Sequence, residues 1–317
     1  MSGSFFRKEF VAATLLAAVG FFVLGYGAIR LTPEGSSTAI IWPADAFALC
    51  LMLRYASGWR QRAVMLTGVF AGDLFSNGLG GSGAVLTLGY SLVNVLELAL
   101  CLMLVGHKRA LRFARVRAAA LFGLKVGILP ALLGGIGAML VTRLGGAPDA
   151  FGAGRNWFCA DVLGFCIVFP IGMTISWRQI EKLRLRQRLP LAIGTLSLLV
   201  TITMLVYPLH NYPLQFLILP AALILSSQFR MLGAGAAMII IAAIVLAEPV
   251  SQPFFDPVLR IQYLQFFLAV CSIVCVRAAG LLNQRDLHQA IIERRHRRAV
   301  RASRFKSQLL AHVSHEV

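Results

Sequence analysis

The chain has 317 residues, of which 58% are hydrophobic and 14% charged, with a mean hydropathy of +0.76 and a formal net charge of +17. A soluble domain carries about 25% charged residues, and a water-soluble fold of this length has too little interior to hide so much apolar surface. Soluble enzyme, small secreted protein and disordered tail are excluded, and the excess apolar surface must face lipid.

In chain order, apolar runs fall at 10–31, 38–53, 63–77, 84–106, 118–142, 156–177, 191–208, 212–229, 232–248 and 261–282. A helix needs roughly 20 apolar residues to cross a bilayer, about 17 at the short end. The runs predict an all-α integral membrane protein, a polytopic helical bundle of ten spans. Eight is the alternative, because 38–53 and 63–77 cross only with polar neighbours or a thinner membrane. The first run follows Arg7 and Lys8 but is too long for a signal-peptide core and lacks a convincing cleavage site, so it is a retained anchor. Pro208, Pro213 and Pro220 kink or end the seventh and eighth spans, which neighbouring helices can tolerate. After Ala279 the composition changes to a proline-free stretch with apolar residues at helical spacing. It predicts one helix leaving the membrane without a break, and divides the chain into a membrane part, 1–280, a cytoplasmic linker helix, 281–304, and a terminal segment, 305–317.

Charge orients the spans. With the N-terminus in the cytoplasm and ten crossings, 25 of the 30 basic residues fall on the inner side, five each in 107–117 and 178–188 and nine from Arg277 onward. The outer connections hold Arg30, Arg143, Arg155 and Arg260, and Lys125 lies within a span. By the positive-inside rule both termini are cytoplasmic. The longest outer links, 143–155 and 249–260, have no room for a folded external domain, so anything detected outside is met by the helices themselves. The basic run 294–306 reads as a solvated helix face near anionic lipid, and no nucleic acid partner is expected. The six cysteines all lie in apolar runs and none forms a CxxC pair, which argues against a disulfide framework and a zinc site. No metal site and no cofactor are expected in this chain.

Ionisable groups inside a membrane are costly, and each is a candidate functional group. Here they are Asp45, Asp73, Glu97, Lys125 and Asp161, with Asn77, Asn94, Arg155 and Asn156 at nearby depth and Trp42 and Trp157 at the outer level. One reading is an outward-open pocket walled by spans two, three, four and six. Trp42, Asp45, Asp73, Asn77, Asn94, Glu97, Arg155 and Asp161 would then receive a small polar ligand or ion. The other reading is structural: Glu97 pairs with Lys125 and Arg155 with Asp161 as interhelical glue, and the tryptophans are interfacial anchors. The sequence leaves both open.

Four stretches carry a resemblance: STAIIWPADAFALCLML at 37–53, GVFAGDLFSN at 68–77, GYSLVNVLELALCLMLV at 89–105 and NWFCADVLGFCIVFPIGM at 156–173. Together they resemble the first class of bacterial membrane-associated sensor domains (MASE), input domains of histidine kinases and diguanylate cyclases, over about residues 10–280. The sequence departs from that pattern at Ala44-Asp45-Ala46, where a glycine is expected soon after Trp-Pro. The resemblance implies a sensory role in a bacterial inner membrane.

The terminal segment FKSQLLAHVSHEV, 305–317, resembles the start of a histidine-kinase dimerisation and phosphoacceptor helix. Leu310, Val313 and Val317, three and four apart, form one apolar stripe, and at about 100° per residue His315 points nearly opposite it. A neutral imidazole there, with the Glu316 carboxylate beside it to assist proton removal, suits attack on a γ-phosphate. His312 lies on nearly the same face but lacks the Ser314 and Glu316 flanks. The resemblance implies homodimerisation through the C-terminal helix, a response-regulator partner, and ATP with Mg2+ for a kinase domain beyond Val317, so the chain is expected to be the sensory half of a longer protein. Two alternatives stay open: a transporter or permease, and the same sensor serving a cyclic-dinucleotide enzyme.

Overall fold

The computed structural model describes residues 2–32, 39–105, 122–174, 189–207, 214–247 and 257–316, with the backbone alone at 2–7, 174, 257–260 and 304–316. The basic stretches 107–117 and 178–188, Pro208, Pro213 and the side chains of His315 and Glu316 lie outside the described residues. No strand occurs among those described. The helices are α1 (Ser2–Arg30), α2 (Ala44–Tyr55), α3 (Trp59–Leu79), α4 (Ala84–Val105), α5 (Leu129–Leu144), α6 (Ala150–Thr174), α7 (Leu189–Val206), α8 (Ile218–Ala247) and α9 (Pro257–Glu316). A π-helical turn, Gly123–Ile128, leads into α5, and a 3-10 turn, Leu214–Leu217, into α8.

Among the described residues, seven helices are long and apolar enough to cross a membrane. Large apolar side chains such as Leu96 and Phe266 stand 67% and 70% exposed on the bundle's outside, as a lipid-facing surface requires. This is a multi-pass membrane protein. Helix α6 is its central post: Ala160, Phe165 and Phe169 pack into a core with α1, α2, α3 and α4, while Leu163 and Ile167 face a second core with α7, α8 and α9.

The second expected span, 38–53, is corrected. Its helix is only 12 residues long, Ala44–Tyr55, and residues 39–43 are not helical. Pro43 lacks an N–H and biases the residue before it towards extended backbone. The Trp42 N–H donates instead to the Ala160 carbonyl at 3.1 Å, about 15 Å along α6 from that helix's first residue. Helix α2 therefore begins deep in the bundle. Irregular backbone at this depth survives only where protein surrounds it, and α9 helps: Gln265 Nε2 donates to the Ile40 carbonyl at 3.0 Å.

Gly164 makes that threading possible, because the Trp42 carbonyl rests where its Cβ would stand and the Pro43 nitrogen is 3.2 Å from the same position. Gly164→Val must push the segment off α6. We expect it to lower stability by about 1–3 kcal/mol or more, read as an earlier thermal midpoint in detergent. An unchanged midpoint would show that the segment is not held against α6.

Helix α8 contains a sharp bend. Arg230 adopts φ 57° and ψ −132°, and the Leu225 carbonyl lies against Gly233. Eight residues of straight helix would span about 12 Å, so the chain bends here into two arms, which correspond to the expected runs 212–229 and 232–248. The Arg230 guanidinium meets Asp286 on α9 at 2.9 Å, placing the bend level with the point where α9 leaves the bundle. Arg62, at the start of α3, donates to the Leu102 carbonyl near the end of α4 at 3.4 Å. At the opposite end, Tyr90 Oη shares a 2.7 Å hydrogen bond with Thr142 Oγ1. The difference between the ten expected runs and the seven long apolar helices among the described residues has local causes: α2 is short, α3 is more polar, and α8 with its leading turn holds two runs.

Candidate functional site

Three helices bring three carboxylates together. Asp45 sits in the first turn of α2, Glu97 thirteen residues along α4 and Asp161 eleven along α6. Each offers one oxygen, and the three oxygens lie within 4.8 Å of one another. All three residues are buried. Neither oxygen of Asp45, neither of Glu97, nor Oδ2 of Asp161 has a hydrogen-bond partner.

Aromatic rings wall the chamber. Trp42 and Trp157 stack with centroids 6.4 Å apart, and Tyr90 lies 5.1 Å from Trp157. The indole Nε1 atoms of Trp42 and Trp157 are buried without partners. Gly134 supplies the floor: Glu97 Oε2 occupies the place of a Cβ there, with Trp157 Nε1 3.1 Å from the same position.

Asp73 forms a separate, satisfied node. Its Oδ1 accepts from Ser76 Oγ at 3.1 Å and Asn77 Nδ2 at 2.9 Å, and its Oδ2 accepts from Asn94 Nδ2 at 2.8 Å. These bonds tie α3 to α4. Asn94 also keeps a buried, unpartnered Oδ1, one turn before Glu97 on the same face of α4.

The ion pairs expected as helix glue do not form. Lys125 is exposed. Arg155 is half-buried against Gln262, whose side-chain oxygen accepts from Nη1 at 3.2 Å and Nε at 3.0 Å once the amide is turned to face it. Glu97–Lys125 and Arg155–Asp161 are absent among the described residues. Residue spacing gives depth in a span but not the direction a side chain takes around the helix axis. Among the described residues the chamber therefore holds three carboxylates and no basic partner, and the α2 N-terminus offers at most about half a positive charge. Burying ionised groups without partners costs several kcal/mol each, so the chamber demands compensating positive charge.

Sequence reasoning missed the residues that link this chamber to α9. Gln265 reaches the Ile40 carbonyl, and Ser272 Oγ donates to the Cys166 carbonyl on α6 at 2.9 Å. The available signal was a pair of glutamines, Gln262 and Gln265, in the otherwise largely apolar run IQYLQFF. The six cysteines are free.

One family pattern, MASE1, matches residues 13–286. No curated protein and no solved structure matches the chain. The match takes in the chamber, the bent helix and the point where α9 leaves the bundle, and covers most of the sequence; the chain belongs to the MASE1 family of membrane-associated sensor domains.

Proposed function

We propose that this chain is the signal-input portion of a sensor histidine kinase. In this reading the carboxylate chamber receives the stimulus and α9 relays it to the phosphoacceptor His315. The observation that carries the reading is the continuity of α9, helical from Pro257 to Glu316. It grips the chamber's wall through Gln265 and Ser272 at one end and runs through the FKSQLLAHVSHEV segment at the other. Fifty residues separate Gln265 from His315, about 75 Å of helix. Two copies pair through this helix, the lipid is that of a bacterial inner membrane, and a response regulator takes the phosphoryl group in the complete protein.

The chamber's role separates from that of Asp73. In the complete kinase, Glu97→Gln and Asp161→Asn should abolish the response to stimulus at normal protein level. Asp73→Ala should instead lower the level or thermal midpoint, since it strands the buried Asn94 Nδ2 donor at about 1–3 kcal/mol, while Ser76 Oγ and Asn77 Nδ2 keep the residue-73 backbone carbonyl. Normal responses from both chamber variants would remove the chamber from sensing.

The charge distribution supports an orientation with both termini inside. A reporter fused after Val317 should read cytoplasmic, and one inserted in 143–155 periplasmic. A reporter at Arg230 should agree with the one after Val317, because the Arg230–Asp286 pair sets both at one end of the bundle. Opposite readings at Arg230 and Val317 would rule out the two-armed α8.

A further inference from the structure

We propose that Asp45, Glu97 and Asp161 form a binding site for one hard divalent cation of the Mg2+, Ca2+ or Mn2+ class. Binding stands on the chamber's geometry alone; that the ion is the stimulus rests on the sensory reading above.

The spacing fits a single ion. Three oxygens within 4.8 Å of one another place a central ion no more than about 2.8 Å from each, and small side-chain rotations bring that to the roughly 2.1–2.6 Å of Mg2+ and Ca2+ coordination. The same spacing excludes an organic molecule between them. The donor set is all oxygen: the nearby thiol of Cys101 is engaged with the Val126 carbonyl at 3.4 Å. Carboxylate oxygens select hard cations over soft ones.

Charge points the same way. A divalent ion offsets most of what three buried carboxylates carry, which no basic side chain in the chamber does. Asp73, already bonded to Ser76, Asn77 and Asn94, has no such need.

The independent sign of a ligand is the Trp157 indole. It is 9% exposed, its N–H has no partner, and it is aimed at the edge of the cluster, beside Glu97 Oε2 above Gly134. The Trp42 indole Nε1–H and the Asn94 Oδ1 are unpartnered in the same region. A bound ion with its remaining waters answers both kinds of orphan: the carboxylates and Asn94 Oδ1 meet the ion or its water protons, and shell oxygens meet the indole N–H groups.

The test uses the full chain in nanodiscs with Mn2+ as the probe, free Mn2+ being counted by its paramagnetic resonance signal. One Mn2+ per chain is expected, displaced by Mg2+ or Ca2+. Glu97→Gln and Asp161→Asn should each weaken binding at least tenfold, while Asp149→Asn, outside the chamber, should not. A measurement that needs no acidic variant guards against misfolding. Bound Mn2+ should quench tryptophan emission in the unmutated chain, the quench saturating at one ion per chain and reversing when Mg2+ or Ca2+ displaces the Mn2+.

No saturable binding up to about 1 mM, the weak end of carboxylate Ca2+ sites, would overturn the proposal and leave protons as the chamber's compensation. So would binding that survives both acidic substitutions in folded protein. Binding in the isolated chain with an ion-indifferent kinase would keep the site and remove its sensory role. A response that needs Glu97 without any ion binding would do the reverse.

Discussion

If the chain is the input of a histidine kinase as proposed, replacing His315 by glutamine in the complete protein is expected to abolish its acid-labile phosphorylation entirely, while His312→Gln leaves it in place. The two histidines are three residues apart and share a helix face, so exposure does not choose between them; the Ser314 and Glu316 flanks, by which His315 resembles a phosphoacceptor, do. In the proposed reaction an imidazole nitrogen of His315 forms a bond to the γ-phosphorus of ATP, the bond from that phosphorus to the bridging oxygen breaks, and ADP leaves. Glu316 takes the imidazole proton. Positioned acid–base groups of this kind contribute about 10²–10⁴-fold, so Glu316→Gln should slow phosphorylation by that order without removing the acceptor. The assignment of faces needs a helix through this segment, and the backbone of α9 is helical to Glu316. Label that persists in His315→Gln would place the acceptor elsewhere and remove the kinase reading of the terminal segment.

Much of the bundle was legible because lipid imposes one rule, an apolar run for each crossing. The runs 84–106, 191–208 and 261–282 coincide closely with α4, α7 and the membrane part of α9. Arg230 interrupts two apolar runs, and the bend sits on that residue. The half-helix at Ala44–Tyr55 was hidden by the same rule, since Ile40, Ile41 and Trp42 are as apolar as any span. Pro43 alone marked the break. Of the expected pocket residues, Trp42, Asp45, Glu97 and Asp161 meet in the chamber, and Asp73, Asn77 and Asn94 form the adjoining node. Arg155 turns to Gln262. Depth along a helix can be counted in residues; the turn of a side chain towards one neighbour or another depends on packing among several helices, as the absent Glu97–Lys125 pair shows.

The same helix that links the chamber to His315 also makes the linkage testable by phase. Within the bundle α9 is fixed by Gln265 and Ser272, and at its exit by Asp286 against Arg230. From Leu287 to Ser303 its side chains are exposed, and no Gly follows Gly280 and no Pro follows Pro257. Nothing in that stretch absorbs a twist. A rod of this kind can transmit a rotation or an axial shift, provided the stimulus binds the two arrangements unequally. One residue inserted beside Ala290 turns everything beyond it by about 100° and advances it by about 1.5 Å. Seven inserted residues leave a residual rotation of about 20°. In the complete kinase the single insertion should therefore lock phosphorylation on or off, whereas the seven-residue insertion should keep a stimulus-dependent response. Both variants lengthen the same exposed segment, so a defect of folding or insertion into the membrane would lower both together. A split between them is the signature of phase. Equal and normal responses from both would show that α9 does not act as a phase-sensitive rod, and the route from chamber to His315 would have to run through something other than the rotation of this helix.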